Sequence, residues 1–257
     1  MHATIVLTVS YDGTELAGFA RQPGQDTVQG RLETALNTIL RTPVLVTGAG
    51  RTDAGVHALG QVVSFDATGN EPDTVSLMRS LNALAGPDIV VSSVRRAAPE
   101  FSARYSAVSR EYRYRIVPGP VAPIFLARFA YWSKPTLDLA AMREGASHLI
   151  GEHDFRSFCV TDSAEGKRTS RFLETVDITP SNEMGEHCVI VRIVGNAFLH
   201  SMIRIVVGSL IEVGRGARDP GWIAEALQAC DRAAAGPTAP SHGLTFWHVG
   251  YPDECWL

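Results

Sequence analysis

Apolar positions along the chain change period several times, and each change marks an element. Residues 4–10 (Thr-Ile-Val-Leu-Thr-Val-Ser) predict a strand, and the polar, Gly-rich stretch from Asp12 to Gln25 predicts a loop. Val28, Leu32, Leu36, Ile39 and Leu40 mark one face of a helix, with Asp26 or Thr27 as its N-cap. Val44-Leu45-Val46 reads as a short strand ending in Gly48-Ala49-Gly50, and Gln61 to Asp66 as another. Pro72 to Leu84 follows as a helix with Leu77, Leu81 and Leu84 on one side, and Asp88 to Val94 as a strand. The order is β-α-β-β-α-β, the split βαβ or ferredoxin-like unit.

The second half repeats that order in pattern, though not in residues. Ser109 to Val117 alternates as a strand, and Leu137 to Ile150 reads as a helix. Phe172 to Thr179 and Cys188 to Val194 predict strands around a turn at Pro180-Ser181-Asn182. Leu199 to Val213 is an apolar helix, Trp222 to Cys230 a shorter one, and Leu244 to Tyr251 a closing strand. The expectation is an α+β chain. Two ferredoxin-like halves, residues 1–105 and 106–257, join into one mixed or antiparallel sheet with helices on one face. The sharpest break falls near residues 97–108.

At 257 residues and 45% hydrophobic composition, the chain can bury a large core without disulfides or metals. Cys159, Cys188, Cys230 and Cys255 form no Cys-x-x-Cys pair and no zinc-finger spacing, so no metal site is expected. Scattered thiols fit a reducing cytoplasm. The start, Met1-His2-Ala3-Thr4, lacks the basic and apolar regions of a signal peptide, and no apolar run is long enough to span a membrane.

The net charge of −4 argues mildly against a nucleic-acid partner, but the distribution changes that picture. Of 23 basic side chains only Lys134 and Lys167 are lysines, and arginine offers the planar fork that suits phosphate and stacks on bases. Arg95, Arg96, Arg104, Arg110, Arg113 and Arg115 face only Glu100 and Glu111 in the same stretch. A solvated strand face explains part of this concentration, and alone it does not establish an RNA partner.

The most unusual segment is Gly48-Ala49-Gly50-Arg51-Thr52-Asp53-Ala54-Gly55-Val56-His57. Its glycines imply unusual backbone angles or a close approach of another segment. Arg51 and Asp53 are two apart, so an extended backbone puts both on one face. Asp53 stands where a dinucleotide loop needs its third glycine, and no Gly-Lys-Ser/Thr follows as a phosphate loop requires. A plain structural turn accounts for an arbitrary Asp of this kind.

Gly50-Arg51-Thr52-Asp53-Ala54-Gly55-Val56-His57 nevertheless resembles the catalytic signature of the tRNA pseudouridine synthase A family. The likeness extends in family order along nearly the whole chain. Tyr11-Asp12-Gly13-Thr14, Arg21-Gln22-Pro23 and Thr27-Val28-Gln29 are similar to the family's N-terminal segment. Phe101 to Ala107 and Arg110 to Tyr114 are similar to its central segment, and Asn196 to Arg204 with Val207 to Leu210 to its long helix. Ala239 to Leu244 and Val249 to Pro252 resemble its last strand. The chain departs from the family at Phe19-Ala20, where Trp-Gln is usual.

The resemblance implies an isomerase that converts uridine to pseudouridine at positions 38, 39 and 40 of the tRNA anticodon stem-loop, as a homodimer and without a cofactor. Reactant and product are isomers, so no redox step or energy source enters. Asp53 is then the essential carboxylate, able to attack the sugar, add to the base or abstract a sugar proton. A cation favours its charged form, with Arg51 and Arg204 as candidates. Tyr112 matches the family's active-site tyrosine and would stack an extruded uridine. Arg21, Arg104, Arg110, Arg168 and His57 are candidate RNA contacts. Two rivals remain: an aspartic-type hydrolase using Asp12 and Asp53, and a noncatalytic RNA-binding module.

Overall fold

The structure, a computed structural model, describes residues 3–161 and 165–256. Its elements in chain order are Thr4–Tyr11 (β1), Val28–Leu40 (α1), Thr47–Gly48 (β2), His57–Asp66 (β3), Thr74–Leu84 (α2), Ile89–Ala97 (β4), Ser109–Pro118 (β5), Tyr131–Ser133 (β6), Leu139–Ser147 (α3), Gly151–Asp154 (β7), Ser170–Glu183 (β8), Glu186–Gly195 (β9), Met202–Gly214 (α4), Trp222–Ala229 (α5) and Leu244–Gly250 (β10). The fold is α+β, a large mixed sheet with helices; β5 and β6 pair in parallel, whereas the other pairings described below are antiparallel. Two compact units divide the chain, Met1–Ser109 with Phe246–Leu257, and Arg110–Thr245.

In the first unit β4, β1 and β3 lie side by side and antiparallel, with β2 on β3. That is the arrangement a β-α-β-β-α-β chain adopts when both helices cross over the sheet. Thr27, rather than Asp26, caps α1 by accepting the Gly30 N–H at 3.2 Å. Val28, Leu32, Leu36 and Leu40 form its buried stripe. Asp73 caps α2 through the Val75 and Ser76 N–H groups. Leu77 and Leu81 are buried, but Leu84, expected beside them, is exposed.

The strand expected at Val44-Leu45-Val46 does not form; the ladder begins at Thr47. Its backbone donors go elsewhere: Val44 N–H to Asn37 Oδ1 at 2.7 Å and Val46 N–H to Glu33 Oε1 at 3.1 Å. Side chains of α1 thus satisfy the groups that a sheet partner would take. β3 starts at His57, four residues before the expected Gln61, which carries the strand up to the Gly-rich segment.

Residues 246–257, expected with the second half, belong to the first unit. Aromatic packing holds them there: Phe101 lies 5.0 Å from Tyr251 and 5.4 Å from Trp256, centre to centre. Tyr251 OH donates to Ala103 O at 2.6 Å, and Ala103 N–H donates to Ser64 Oγ of β3 at 3.0 Å. The stretch that reads as a break between halves is therefore packed against the sheet.

In the second unit the order is β5-β9-β8-β7, with β6 on β5. β6 and β7 are additions the sequence pattern did not announce. The hairpin turn sits at Met184-Gly185, not at Pro180-Ser181-Asn182. Both turn residues have positive φ, 54° and 83°, as a two-residue turn matched to strand twist requires. Pro180 pairs with Val189 inside the ladder. β7 covers only residues 170–173 of β8, so Pro180 lies on an open edge, where a missing N–H is tolerated. α4 is buried over almost its whole length.

Candidate active site

The Gly-rich segment is fastened to the loop after β1 by backbone bonds. Phe19 N–H donates to Thr52 O at 3.0 Å, and Gly55 N–H donates to Leu16 O at 3.3 Å. Within the segment, Val56 N–H donates to Asp53 O at 3.2 Å, closing a turn in which Gly55 has φ 75°. Arg51 is exposed, Thr52 buried and Asp53 half-buried, the alternation of a locally extended backbone.

Two glycines of the first loop permit this approach. A Cβ on Gly13 would overlap the Val56 carbonyl oxygen, and one on Gly18 would lie 2.7 Å from Thr52 O. Gly18 also has φ 94°, open to glycine at little cost. Phe19, where the resemblance led one to expect Trp, is buried with its ring where a Gly48 side chain would stand.

His57 is buried, so the candidate RNA contact gives way to the structural role more usual for a histidine beside a Gly turn. Its Nδ1 accepts the Gly13 N–H at 3.1 Å and therefore has no proton to give Asp12 Oδ1, 3.2 Å away. Asp12 Oδ1 takes its protons from Thr14, at 3.1 Å from the backbone and 2.6 Å from the hydroxyl. We read His57 as a tie between the first loop and the end of the Asp53 segment. Asp12 is engaged as a turn residue, which weakens its pairing with Asp53 as a hydrolase dyad.

The second unit holds Tyr112 and Arg204. Tyr112 is buried on β5 opposite Ile193, with Phe198 edge-on at 5.2 Å. Tyr114, two residues on, is fully buried and donates from its hydroxyl to Pro240 O at 2.8 Å. Burial pushes its phenol far above the usual range, against the nearby Arg204 charge. Arg204 sits in the first turn of α4. Its Nε donates to Ala239 O at 2.8 Å, and Ala239 N–H donates to Arg204 O at 3.0 Å. This double tie fixes the root and the fork of the side chain together.

The remaining arginines divide by exposure. Arg110 turns inward, contrary to the expected RNA contact: it is buried and donates to Asn196 O at 2.6 Å, a carbonyl it satisfies in place of a phosphate. Arg104 is exposed and lies 5.3 Å from the Tyr105 ring centre. Arg168 is exposed beside Glu152, at 2.9 Å. Arg21 is exposed, with Nη1 3.1 Å from the buried Glu33 Oε2, a charge contact whose angle falls short of a hydrogen bond. Among the described residues no cluster of His, Cys, Asp and Glu has a metal-binding arrangement.

Comparison with known proteins then decides the class. The family model described as tRNA pseudouridine synthase matches residues 7–106 and 146–252. The chain is 44% identical to the tRNA pseudouridine synthase A of Brevibacillus brevis, over 95% of its own length and 97% of the relative's. It is 41% identical to that of Geobacillus kaustophilus, over 99% and 97%. It is 44% identical to that of Frankia casuarinae, over 96% and 89%.

The chain belongs to the tRNA pseudouridine synthase family.

Its activity is therefore that of an isomerase forming pseudouridine in tRNA. For a tRNA pseudouridine synthase, the first matched stretch carries the Asp53 segment and the loop after β1 that fastens it, and the second carries Arg204. Tyr112 lies between the two stretches. Sequence reasoning missed the side chains that grip the segment, Tyr11 at Thr52 and Gln61 at Gly50. One signal was present: Gln61 stands directly before the apolar pair Val62-Val63 on a strand, a polar residue that needs a partner if buried.

Proposed function

We propose that this chain isomerises uridine to pseudouridine at positions 38, 39 and 40 of the tRNA anticodon stem-loop, with Asp53 as the reacting carboxylate. The C1′–N1 bond breaks, a C1′–C5 bond forms, the C5 proton leaves and N1 gains one, so atoms balance without a co-reactant. The observation that carries the reading is the setting of Asp53. It is half-buried on a segment whose backbone is locked by a neighbouring loop, with Arg51 and Ala54 exposed on either side and Thr52 buried beneath. A carboxylate so fixed suits attack at a sugar carbon or proton abstraction there. Arg51 and Arg204 are the proposed substrate-binding cations, and Tyr112, buried edge-on to Phe198, is proposed to stack on the extruded base once that packing opens.

The test is incubation with tRNA carrying tritium at uridine C5. Label appears in solvent as pseudouridine forms at those three positions; tRNA substituted with cytidine at all three releases none. Release from the substituted tRNA at the parent rate would overturn the positional assignment.

Arg21, Arg104 and Arg168 are proposed phosphate contacts. Affinity for tRNA is expected to fall linearly in log–log form with salt, with a slope of about −2 to −3 for three neutralised phosphates. Arg104→Ala should make that slope shallower by about one unit. A flat plot from filter binding rules the three arginines out.

The working unit is proposed to be a homodimer in the cytoplasm. The four cysteines are free thiols, as a reducing compartment maintains. In the second unit Val121, Ile124 and Phe125 are 77%, 78% and 60% exposed on one loop. Glu186 pins that loop by accepting the Ile124, Phe125 and Leu126 N–H groups at 2.6, 3.2 and 2.8 Å. A rigid apolar loop of this kind suits a second copy of the chain. Phe125→Asp is expected to shift sedimentation toward the monomer; an unchanged dimer places the interface elsewhere.

A further inference from the structure

Two strand side chains hold the Asp53 segment from below, and neither is used by the chemistry above. Tyr11 ends β1, and Gln61 lies on β3 opposite Val9. Tyr11 OH and Thr52 Oγ1 share a hydrogen bond of 2.8 Å across 41 positions of sequence. Gln61 Nε2 donates to Gly50 O at 2.8 Å, and Gln61 Oε1 accepts the Gly50 N–H at 3.4 Å. Gln61 Nε2 also reaches Tyr11 OH at 3.5 Å. Tyr11, Thr52 and Gln61 are all buried.

The arrangement spans one short run of backbone. Gly50 is held at both of its peptide groups, and Thr52 is held by its side chain and, at its carbonyl, by Phe19 N–H. Arg51 lies between these two fixed points and Asp53 directly after them. A hydrogen bond between two buried hydroxyls adds little net stability, because replacing both partners by apolar groups of the same shape is nearly neutral. Phenylalanine at 11 and valine at 52 would fill the same space. What the polar pair adds is a single geometry for Thr52, and with it the position of the Asp53 Cα.

We infer that Tyr11 is a positioning residue for the Asp53 carboxylate, acting through Thr52, with Gln61 holding Gly50 to the same end. This rests on the reading of Asp53 as the reacting group. Tyr11 is no proton carrier: burial pushes its phenol up to about 12, against the bonds to Thr52 and Gln61. It stays protonated wherever the chain is folded and active.

The test compares steady-state tritium release by the full chain with Tyr11→Phe, Thr52→Val, the double variant and Thr52→Ser. Tyr11→Phe and Thr52→Val should each lower kcat about tenfold, with KM within about twofold, because near-attack geometry is lost while RNA contacts persist. The double variant should be no worse than Tyr11→Phe alone, since both substitutions remove the Tyr11–Thr52 bond. Thr52→Ser, which keeps the hydroxyl, should recover most of the turnover that Thr52→Val loses. The shape of kcat against pH between 6 and 9 should be the same in Tyr11→Phe as in the parent. Parent kcat in folded Tyr11→Phe and Thr52→Val, with only the melting temperature reduced, overturns the inference; so does a rise in KM that accounts for the whole loss, or a lost limb of the pH profile. Should Tyr11→Phe not fold, the Thr52→Val and Thr52→Ser pair decides alone. Asp53→Asn runs alongside. If it retains turnover, the Asp53 reading has failed; if it is inactive while Tyr11→Phe matches the parent, only the positioning role has failed.

Discussion

Asp53→Asn is expected to lower single-turnover pseudouridine formation by about three to four orders of magnitude, with tRNA binding and folding intact. The amide has the shape of the carboxylate but neither its charge nor its basicity, so every route open to a carboxylate at the sugar is closed. The fold should tolerate the change. The backbone ties around residue 53 use Thr52 O, Gly55 N–H and the Asp53 backbone carbonyl, all of which asparagine preserves. Melting temperature should therefore move by no more than about 2 °C. Asp53→Glu keeps the charge but advances it by a methylene, and a displacement of that order costs about a hundredfold. The measurements are tritium release under excess enzyme, filter binding of tRNA and thermal unfolding. Turnover by Asp53→Asn at the parent rate would leave a noncatalytic role for the segment and place the reacting group elsewhere in the chain.

The second large effect is expected from a residue with no chemistry at all. Gly13→Ala should lower stability by about 3 kcal/mol and the melting temperature by about 5–10 °C, and it should remove most activity in the fraction that remains folded. The added methyl would overlap the Val56 carbonyl, which is backbone and cannot rotate aside. Relief requires the first loop to lift from the Asp53 segment. That strains the Gly13 N–H bond to His57 Nδ1 and the Gly55 N–H bond to Leu16 O. Stability and activity should fall together because one contact supports both. Gly221→Ala is the control: a Cβ there meets nothing within 4 Å and its φ of −62° suits any residue. If Gly13→Ala melts and turns over as the parent does, the first loop does not press on the segment as described.

Much of this was legible in the chain itself, for a physical reason that holds element by element. α1 is marked by a stripe of apolar residues at helical spacing, and its cap lies one residue upstream, so both signals are local. The β-α-β-β-α-β order of the first unit follows from such signals in series. The segment around Asp53 was also visible, because a Gly-rich tight turn is written as contiguous residues, Gly50 to His57.

Where local signals had to compete with distant partners, they failed. Val44-Leu45-Val46 has strand composition, yet Asn37 and Glu33 take its donors and the ladder starts later. Pro180-Ser181-Asn182 has turn composition, yet the register of β8 on β9 carries it into the ladder and leaves the turn to Met184-Gly185. His57 and Arg110 carry the chemistry of RNA contacts, but burial commits them to Gly13 and Asn196.

The sequence alone thus determined the class of chemistry, the α+β frame and the segment on which the proposed reacting carboxylate stands, since each is written in local patterns of adjacent positions. Only the tertiary structure decided what holds that residue still. Tyr11 meets Thr52 and Gly13 meets Val56 across 41 and 43 positions, and hydrogen bonds and van der Waals overlap act over a few ångströms whatever the separation along the chain.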